Sequence, residues 1–170
     1  MKTLFLTRHA KTIPGESGIS DFDRKLTSRG PKDIVLVAKE LFSLEYEPDL
    51  IISSPALRAR QTAVIFAKAF NYPEPQIKIL NYLYSYFNVN QLIEDIAKMA
   101  PKARSVQLIG HNPSISEMGA DLSASFLNIM PTSATLVIDF EVVKWEFVTE
   151  GSGILSQYIY PSAIRDPNSN

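Results

Sequence analysis

Three short apolar runs along the chain have the pattern of buried strands. They are "TLFLT" (3–7), "DLIISS" (49–54) and "SVQLIG" (105–110), and each is followed at once by residues that favour a turn or a helix start. Continuous rather than alternating hydrophobicity is typical of parallel strands that are covered on both faces. The three runs therefore predict the centre of a parallel sheet.

Segments with a helical spacing of apolar residues lie between these runs. The sequence predicts a helix over 31–46 with Pro31 in its first position, and a second over 55–70 with Ser54 as N-cap and Pro55 as the first helical residue. The predicted buried faces are Ile34, Val37, Ala38, Leu41 and Phe42 in the first helix, and Ala59, Ala63, Phe66 and Phe70 in the second. Two more helices are predicted, over 88–100 and over 112–123 with Pro113 just inside its start.

The last third of the chain predicts strands that are not separated by helices. "ATLVIDFEV" (134–142) and "KWEFVTEG" (144–151) have the pattern of a hairpin that turns at Val142 and Val143, and "ILSQYIY" (154–160) predicts another extended segment. Alternating strands and helices followed by such strands favour an α/β fold, with a mainly parallel central sheet and an antiparallel contribution at one edge. With 170 residues, we expect a single domain over 1–170.

Composition excludes several classes of protein and of site. The 17 basic and 18 acidic residues nearly balance, so overall charge gives no attraction to nucleic acid or to an anionic membrane. The absence of cysteine excludes disulfides, thiolate nucleophiles and cysteine-based metal sites. No apolar run approaches the roughly 18 residues of a membrane-spanning helix or the core of a secretion signal. We therefore expect a cytoplasmic protein without a membrane or nucleic-acid partner.

Candidate chemistry follows directly after each predicted strand. Arg8 and His9 end the first run, His111 and Asn112 end the third, and Arg58 lies in the first turn of the helix after the second. In open α/β sheets the ligand site lies outside the carboxyl ends of the strands. The chain has 2 histidines in all, and both occupy such a position. Either one alone would more often be a packing residue, but together with the arginines they indicate a site for a phosphoryl group.

The chemistry of phosphoryl transfer explains why these residue types belong together. A neutral imidazole can attack phosphorus and hold the group covalently, and a second histidine can stabilise the charge that develops on its oxygens. Guanidinium groups bind phosphate oxygens through paired hydrogen bonds. Positioning and electrostatics supply most of the catalysis, so no metal or other cofactor is expected.

Four motifs resemble, in order and spacing, those of the histidine phosphatase superfamily, which is phosphoglycerate mutase-like, and within it the phosphohistidine phosphatases of the SixA type. They are "LTRHA" (6–10), "DFDRKLTSRG" (21–30), "SSPALRARQTA" (53–63) and "IGHNPSI" (109–115). The resemblance implies a three-layer α/β/α fold and a hydrolase that forms a phosphohistidine intermediate. It covers most of the chain, from residue 3 to about residue 122, and "MPTSATLVIDF" (130–140) with the following Trp145 is similar to the closing strands of the family.

Carried over residue by residue, the resemblance implies that His9 is the nucleophile and that Arg8 and Arg58 bind the phosphate. His111 would complete the catalytic set by donating a hydrogen bond to the transferred group. Arg24 would be a further phosphate-binding residue, with simple pairing to Asp21 across a turn as the alternative.

Asn112, which follows His111, is placed in the substrate-binding set. It could instead orient His111 or cap the next helix.

Many members of the superfamily that cleave phosphate esters protonate the leaving oxygen with a carboxylic acid, in the region that matches "IKILNYLYSYF" (77–87). This stretch has no carboxylate, which favours a substrate with a better leaving group than an alkoxide, such as the imidazole of phosphohistidine. A loop carboxylate could still supply the acid; the candidates are Glu16, Asp21, Asp23 and Glu117. The expected partner is thus a phosphorylated substrate, such as a phosphohistidine-bearing signalling protein.

Three alternatives remain open from the sequence. The first is a phosphomonoesterase for small molecules, including aryl phosphates that need no acid. The second is a non-catalytic phosphate-binding module, which would have no use for a nucleophile. The third is a metallo-hydrolase built on His9, His111 and aspartates, although the two histidines lack the spacing of metal ligands. The sequence does not predict the oligomeric state.

Overall fold

A mixed sheet of six strands forms the centre of the computed structural model, which describes residues 1–15 and 18–166. Its strands run in the order β3-β2-β4-β1-β5-β6. Their bounds are β1 Lys2–Arg8, β2 Leu50–Ser53, β3 Lys78–Ile79, β4 Ser105–Gly110, β5 Thr135–Phe140 and β6 Ile154–Ile159. The first four strands are parallel, whereas β5 pairs antiparallel with β1 and β6 antiparallel with β5.

Helices cover both faces of this sheet. They are α1 Gly30–Ser43, α2 Leu57–Ala69, α3 Val89–Met99, α4 Ser114–Leu122 and the short α5 Pro161–Arg165. Apolar residues of α1, α2 and α5 pack on one face, and those of α3 and α4 pack on the other. The predicted three-layer α/β/α arrangement with a mainly parallel sheet and an antiparallel edge is therefore confirmed. Among the described helices, none combines the length and the apolar character that crossing a membrane requires.

Strand β1 shows why its sequence is continuously apolar. Leu4 and Leu6 belong to the core cluster under α3 and α4, while Phe5 packs in the cluster under α1. All three side chains are buried, because successive residues of a strand point to opposite faces and both faces are covered. The polar residues that follow are thereby confined to the end of the strand.

The predicted hairpin through Val142 and Val143 is wrong. Segment Trp145–Phe147 forms a 3-10 helix, and the partner of β5 is β6. The indole of Trp145 is fully buried beside α3, and its Nε1 donates a hydrogen bond to Ala103 O at 2.8 Å. Burying this ring requires the chain to leave the sheet at a point where strand propensity alone predicts continuation.

The predicted helix starts also need correction. Helix α2 begins at Leu57 with Ala56 as its N-cap, instead of at Pro55 after Ser54. The Ser54 hydroxyl lies 2.7 Å from His111 Nε2, so its main partner is a side chain of another strand end. Helix α4 begins at Ser114, with Pro113 as its N-cap and outside the helix.

Most of the predicted helix faces are buried as expected. The exceptions are Phe42 of α1, whose side chain is exposed, and Phe70, which is half-buried. Phe42 comes one residue before the end of α1, and Phe70 is the C-cap of α2. The third predicted helix is confirmed almost to its bounds, since Asn88 accepts a hydrogen bond from Gln91 N and caps α3.

Candidate active site

The two histidines meet because the strands that carry them are neighbours. Arg8 at the end of β1 pairs in register with Gly110 at the end of β4, and each strand is followed directly by a histidine. The rings of His9 and His111 are 4.9 Å apart between centroids. Both residues are buried, with 7% and 8% of their surface exposed. The carboxyl ends of two parallel strands therefore form the floor of a site.

The hydrogen bonds of His9 leave one nitrogen able to attack. Its Nδ1 lies 2.8 Å from the carbonyl oxygen of Ala10, which can only accept, so the ring proton is on Nδ1. Nε2 then carries the lone pair and accepts a hydrogen bond from Nε of Arg58 at 3.3 Å. Burial, together with the charges of nearby arginines, lowers the pKa of His9 to about 4. The imidazole is thus neutral at pH 7, which is the form a nucleophile requires.

His111 presents an unused polar atom at the same place. Its Nε2 is 2.7 Å from the Ser54 hydroxyl, which can donate and leave the ring proton on Nδ1. Nδ1 is buried and has no hydrogen-bond partner among the described residues. Burial, followed by the nearby His9 and Arg58, lowers the pKa of His111 to about 3. A buried polar atom without a partner costs free energy, and a phosphoryl oxygen would supply the missing acceptor.

Arg8, like His111, has a buried nitrogen without a hydrogen-bond partner among the described residues. Its Nη1 donates to Met130 O at 2.7 Å, while its Nε is buried and unpaired within the described part of the chain. Asn112 Nδ2 donates to the same Met130 carbonyl at 2.9 Å, and its Oδ1 accepts from Ser116 Oγ. The amide of Asn112 is therefore used to hold the segment around Met130 beside Arg8.

Arg58 connects the histidines to a loop. It is buried in the first turn of α2. Besides the contact with His9, its Nη1 donates to the backbone oxygen of Asp21, and its Nη2 donates to the Asp21 carboxylate at 2.8 Å. Thr62, one turn further along α2, bonds to Arg58 O and accepts from Ala10 N. These contacts fix the guanidinium beside His9 Nε2.

The Asp21 carboxylate gathers several donors. Arg24 contacts Oδ1 through Nε at 2.9 Å and Nη2 at 2.6 Å, and the Tyr84 hydroxyl donates to Oδ2 at 2.9 Å. Although partial burial raises the pKa of Asp21, the hydrogen bonds from Tyr84, Arg24 and Arg58 lower it to about 2. Asp21 is therefore ionised at neutral pH and joins two of the predicted phosphate-binding arginines.

Comparison with known proteins agrees with this geometry. The model of the histidine phosphatase superfamily (branch 1) matches residues 4–83. An uncharacterized protein of Picosynechococcus is 34% identical over 116 residues, which cover 67% of this chain and 68% of that protein. The chain belongs to the histidine phosphatase superfamily. The phosphatases among its structural neighbours support a hydrolase.

Two solved structures within the histidine phosphatase superfamily are similar over nearly the whole chain. The protein histidine phosphatase SixA complexed with tungstate has a TM-score of 0.80 and 24% identity, and covers 95% of this chain and 99% of its own. The putative phosphohistidine phosphatase SixA from Agrobacterium tumefaciens has a TM-score of 0.76 and 28% identity, and the match covers 94% of this chain and 98% of that one. The fold is therefore that of SixA-type histidine phosphatases.

The structure brings together four of the residues predicted from the sequence, namely Arg8, His9, Arg58 and His111. Arg24 is joined to them through Asp21, so the pairing considered as an alternative is present. The phosphate-binding role of Arg24 stays a prediction, as does the substrate-binding role of Asn112. Both side chains already have protein partners.

Tyr84 is a site residue that the sequence did not single out. It lies in the 3-10 helix Asn81–Tyr84, and its ring meets that of His111 edge-on, with centroids 5.7 Å apart. The guanidinium carbon of Arg58 lies 5.9 Å from the Tyr84 ring centroid. The signal available in the sequence is its position shortly after β3, a parallel strand whose carboxyl end lies at the same edge of the sheet.

The candidate loop acids lie in different surroundings. Glu16 lies outside the described residues. Asp23 accepts a hydrogen bond from Ser20 Oγ at the 3-10 helix Asp21–Asp23, and Glu117 is exposed on α4. Over 1–15 and 18–166, no group of three or more His, Cys, Asp or Glu side chains is placed to hold a metal ion.

Proposed function

We propose that this hydrolase removes phosphate from phosphohistidine in a protein substrate, through a phosphohistidine intermediate on His9 and without a metal ion. The observation that carries the proposal is the state of His9. Its Nδ1 is held by Ala10 O, and its unprotonated Nε2 faces the Arg58 guanidinium. Similarity to SixA structures supports the same substrate class.

In the first step, the lone pair of His9 Nε2 attacks phosphorus while the bond to the substrate nitrogen breaks. The bonding electrons go to the substrate imidazole, which leaves neutral if its phosphorylated form already carries a proton. Arg8 Nε and His111 Nδ1, which are both buried and unpaired among the described residues, are the donors available to the phosphoryl oxygens. Donors that are already in place stabilise the transition state without reorganisation.

In the second step, water attacks the phosphorus of the intermediate. A P–O bond forms, the P–Nε2 bond breaks, and its electrons return to His9, which regenerates the neutral ring. The proton lost by water goes to the phosphate product or to solvent. Arg58 contacts the leaving Nε2 in the free enzyme, so it is placed to stabilise that nitrogen as the bond breaks.

The ionised state of Asp21, the described carboxylate in contact with Arg58, supports a leaving group that needs no proton from it. Asp21 is ionised, since its pKa is about 2. A positioned acid is worth about 10²- to 10⁴-fold for a poor leaving group, whereas an imidazole leaves without one.

The test combines substrate profiling with trapping of the intermediate. The protein is assayed in EDTA against a phosphohistidine peptide, p-nitrophenyl phosphate and sugar phosphates. We expect the phosphohistidine peptide to give the highest kcat/KM, and radiolabelled substrate to leave acid-labile label on the wild type but not on His9→Ala. Faster turnover of sugar phosphates would overturn phosphohistidine as the substrate and favour a small-molecule phosphomonoesterase. No label and no turnover would leave only a phosphate-binding module.

A further inference from the structure

Two exposed aromatic side chains lie beside the site. Phe22 and Tyr84 meet edge to face, with ring centroids 5.2 Å apart, although they come from separate loops. They are 38% and 36% exposed, whereas His9 and His111 are buried. Exposed aromatic surface is not unusual by itself, but here one of the two rings contacts the buried polar site, and ligand sites combine aromatic side chains with a few polar groups.

The direction of the reaction relates this pair to the substrate. Nucleophile, phosphorus and leaving atom are roughly in line during phosphoryl transfer. His9 lies on the floor of the site, so the leaving group points away from it, toward solvent. Tyr84 is in contact with the ring of His111 and with Arg58, and therefore lies beside this outward path.

The Tyr84 ring is also fixed before any substrate arrives. Its hydroxyl donates to Asp21, its ring contacts His111, and Phe22 packs against it. Asp21 and Phe22 are adjacent in the same 3-10 helix, so one short segment supports the ring at two points. A ring held in this way loses little freedom on binding, which favours stacking with a flat partner.

We propose that Phe22 and Tyr84 form a leaving-group subsite, which stacks a planar aromatic ring bonded directly to the transferred phosphoryl group. Resting on the proposed function, this inference assigns the subsite to the imidazole of a phosphohistidine side chain. The same flat surface accepts an aryl ring joined through oxygen. Aliphatic leaving groups, such as the side chain of phospholysine or a sugar, gain nothing from it.

A binding measurement tests the subsite independently of turnover. Calorimetry compares phenylphosphonate, which carries a ring directly on phosphorus, with methylphosphonate, which has the same charged group and no ring. We expect the wild type to bind phenylphosphonate about three- to tenfold more tightly, the range given by an aromatic pair. Tyr84→Leu abolishes this ratio, whereas Tyr84→Phe, which lacks only the hydroxyl, retains it.

Phe147→Leu is the matched control. Phe147 is an exposed aromatic residue in the 3-10 helix Trp145–Phe147. The hydrogen bond from Trp145 to Ala103 places this helix near the start of β4, which is the end of the sheet opposite to the site. This variant keeps the wild-type ratio. Equal binding of the two phosphonates by the wild type, or a ratio that survives in Tyr84→Leu, overturns the subsite.

Turnover measurements show which class of substrate supplies the aromatic ring, a question separate from whether the subsite exists. Phosphoimidazole, phenyl phosphate and a phospholysine peptide are compared in the wild type and in Tyr84→Leu. We expect kcat/KM to fall about three- to tenfold for phosphoimidazole and to change far less for phospholysine. An equal fall for both overturns the subsite. Turnover of phenyl phosphate alone, with an intact phosphonate ratio, overturns the proposed phosphohistidine substrate and leaves the aromatic subsite in place.

Discussion

Acidification from pH 7 to pH 5 is expected to destabilise the protein through its two histidines. Both are buried, and their pKa values are lowered to about 4 for His9 and about 3 for His111. In the unfolded chain an imidazole has a pKa of about 6.5. The unfolded state therefore binds protons in this range that the folded state does not, so stability is fully present above pH 6.5 and is lost as the pH falls.

The size of this loss follows from the lowered pKa values. A difference of one bound proton changes the free energy of unfolding by about 1.4 kcal/mol per pH unit. Between pH 6.5 and pH 5 the free energy of unfolding therefore falls by about 2 kcal/mol for each histidine, or by about 4 kcal/mol for the pair. That is a large part of a typical stability of about 5–15 kcal/mol. Ordinary carboxylates titrate mainly below about pH 5, so the range isolates the imidazoles.

Urea unfolding at pH 7, 6 and 5 measures this dependence in the wild type, His9→Gln, His111→Gln and the double variant. Because the chain has 2 histidines, each single variant should lose about half of the dependence, and the double variant should lose nearly all of it. A double variant as sensitive to pH as the wild type would refute the reasoning. So would a wild type whose free energy of unfolding is equal at pH 7 and pH 5.

Three further predictions concern the residues around His9. Arg58→Lys keeps the charge but cannot contact His9 and Asp21 together, so kcat/KM for phosphate release should fall about 10²-fold; a fall below threefold would contradict this. Asp21→Asn removes an anion that competes for the same guanidinium groups, so calorimetry should show inorganic phosphate binding about tenfold more tightly, and weaker binding would contradict it. Gly30→Ala places a Cβ 2.9 Å from Lys11 O, so urea unfolding should show a free energy of unfolding that is lower by about 1–3 kcal/mol. An unchanged free energy of unfolding would contradict this.

The sequence predicted the centre of the site because parallel strands follow a simple geometric rule. His9 and His111 are far apart in the chain, yet each follows a continuous apolar run. Such runs pair side by side in a parallel sheet, and their carboxyl ends then meet at one edge. The pairing of Arg8 with Gly110 is the contact that brings the two rings together.

The rim of the site depends on contacts that no local pattern encodes. The Tyr84 hydroxyl bonds to Asp21, which is 63 positions away in the chain. Nothing in the local sequence pattern around either residue indicates this contact. Ser54 has the sequence position of an N-cap, but its hydroxyl contacts His111 instead. Trp145 leaves the predicted strand because its ring is buried in the core. In each case a long-range contact prevails over the local preference of the chain.

The protonation state of Asp21 links the site to the choice of substrate. It is the carboxylate in contact with Arg58, and three hydrogen-bond donors keep its pKa near 2. A phosphoryl group that competes for those donors would release Asp21 and return its pKa toward the 3.8 of a free side chain, which is still far below neutral pH. Asp21 therefore remains ionised before and after binding and cannot protonate a leaving alkoxide. The leaving atom must accept the bonding electrons without a proton from Asp21, which an imidazole nitrogen does far more readily than an aliphatic oxygen.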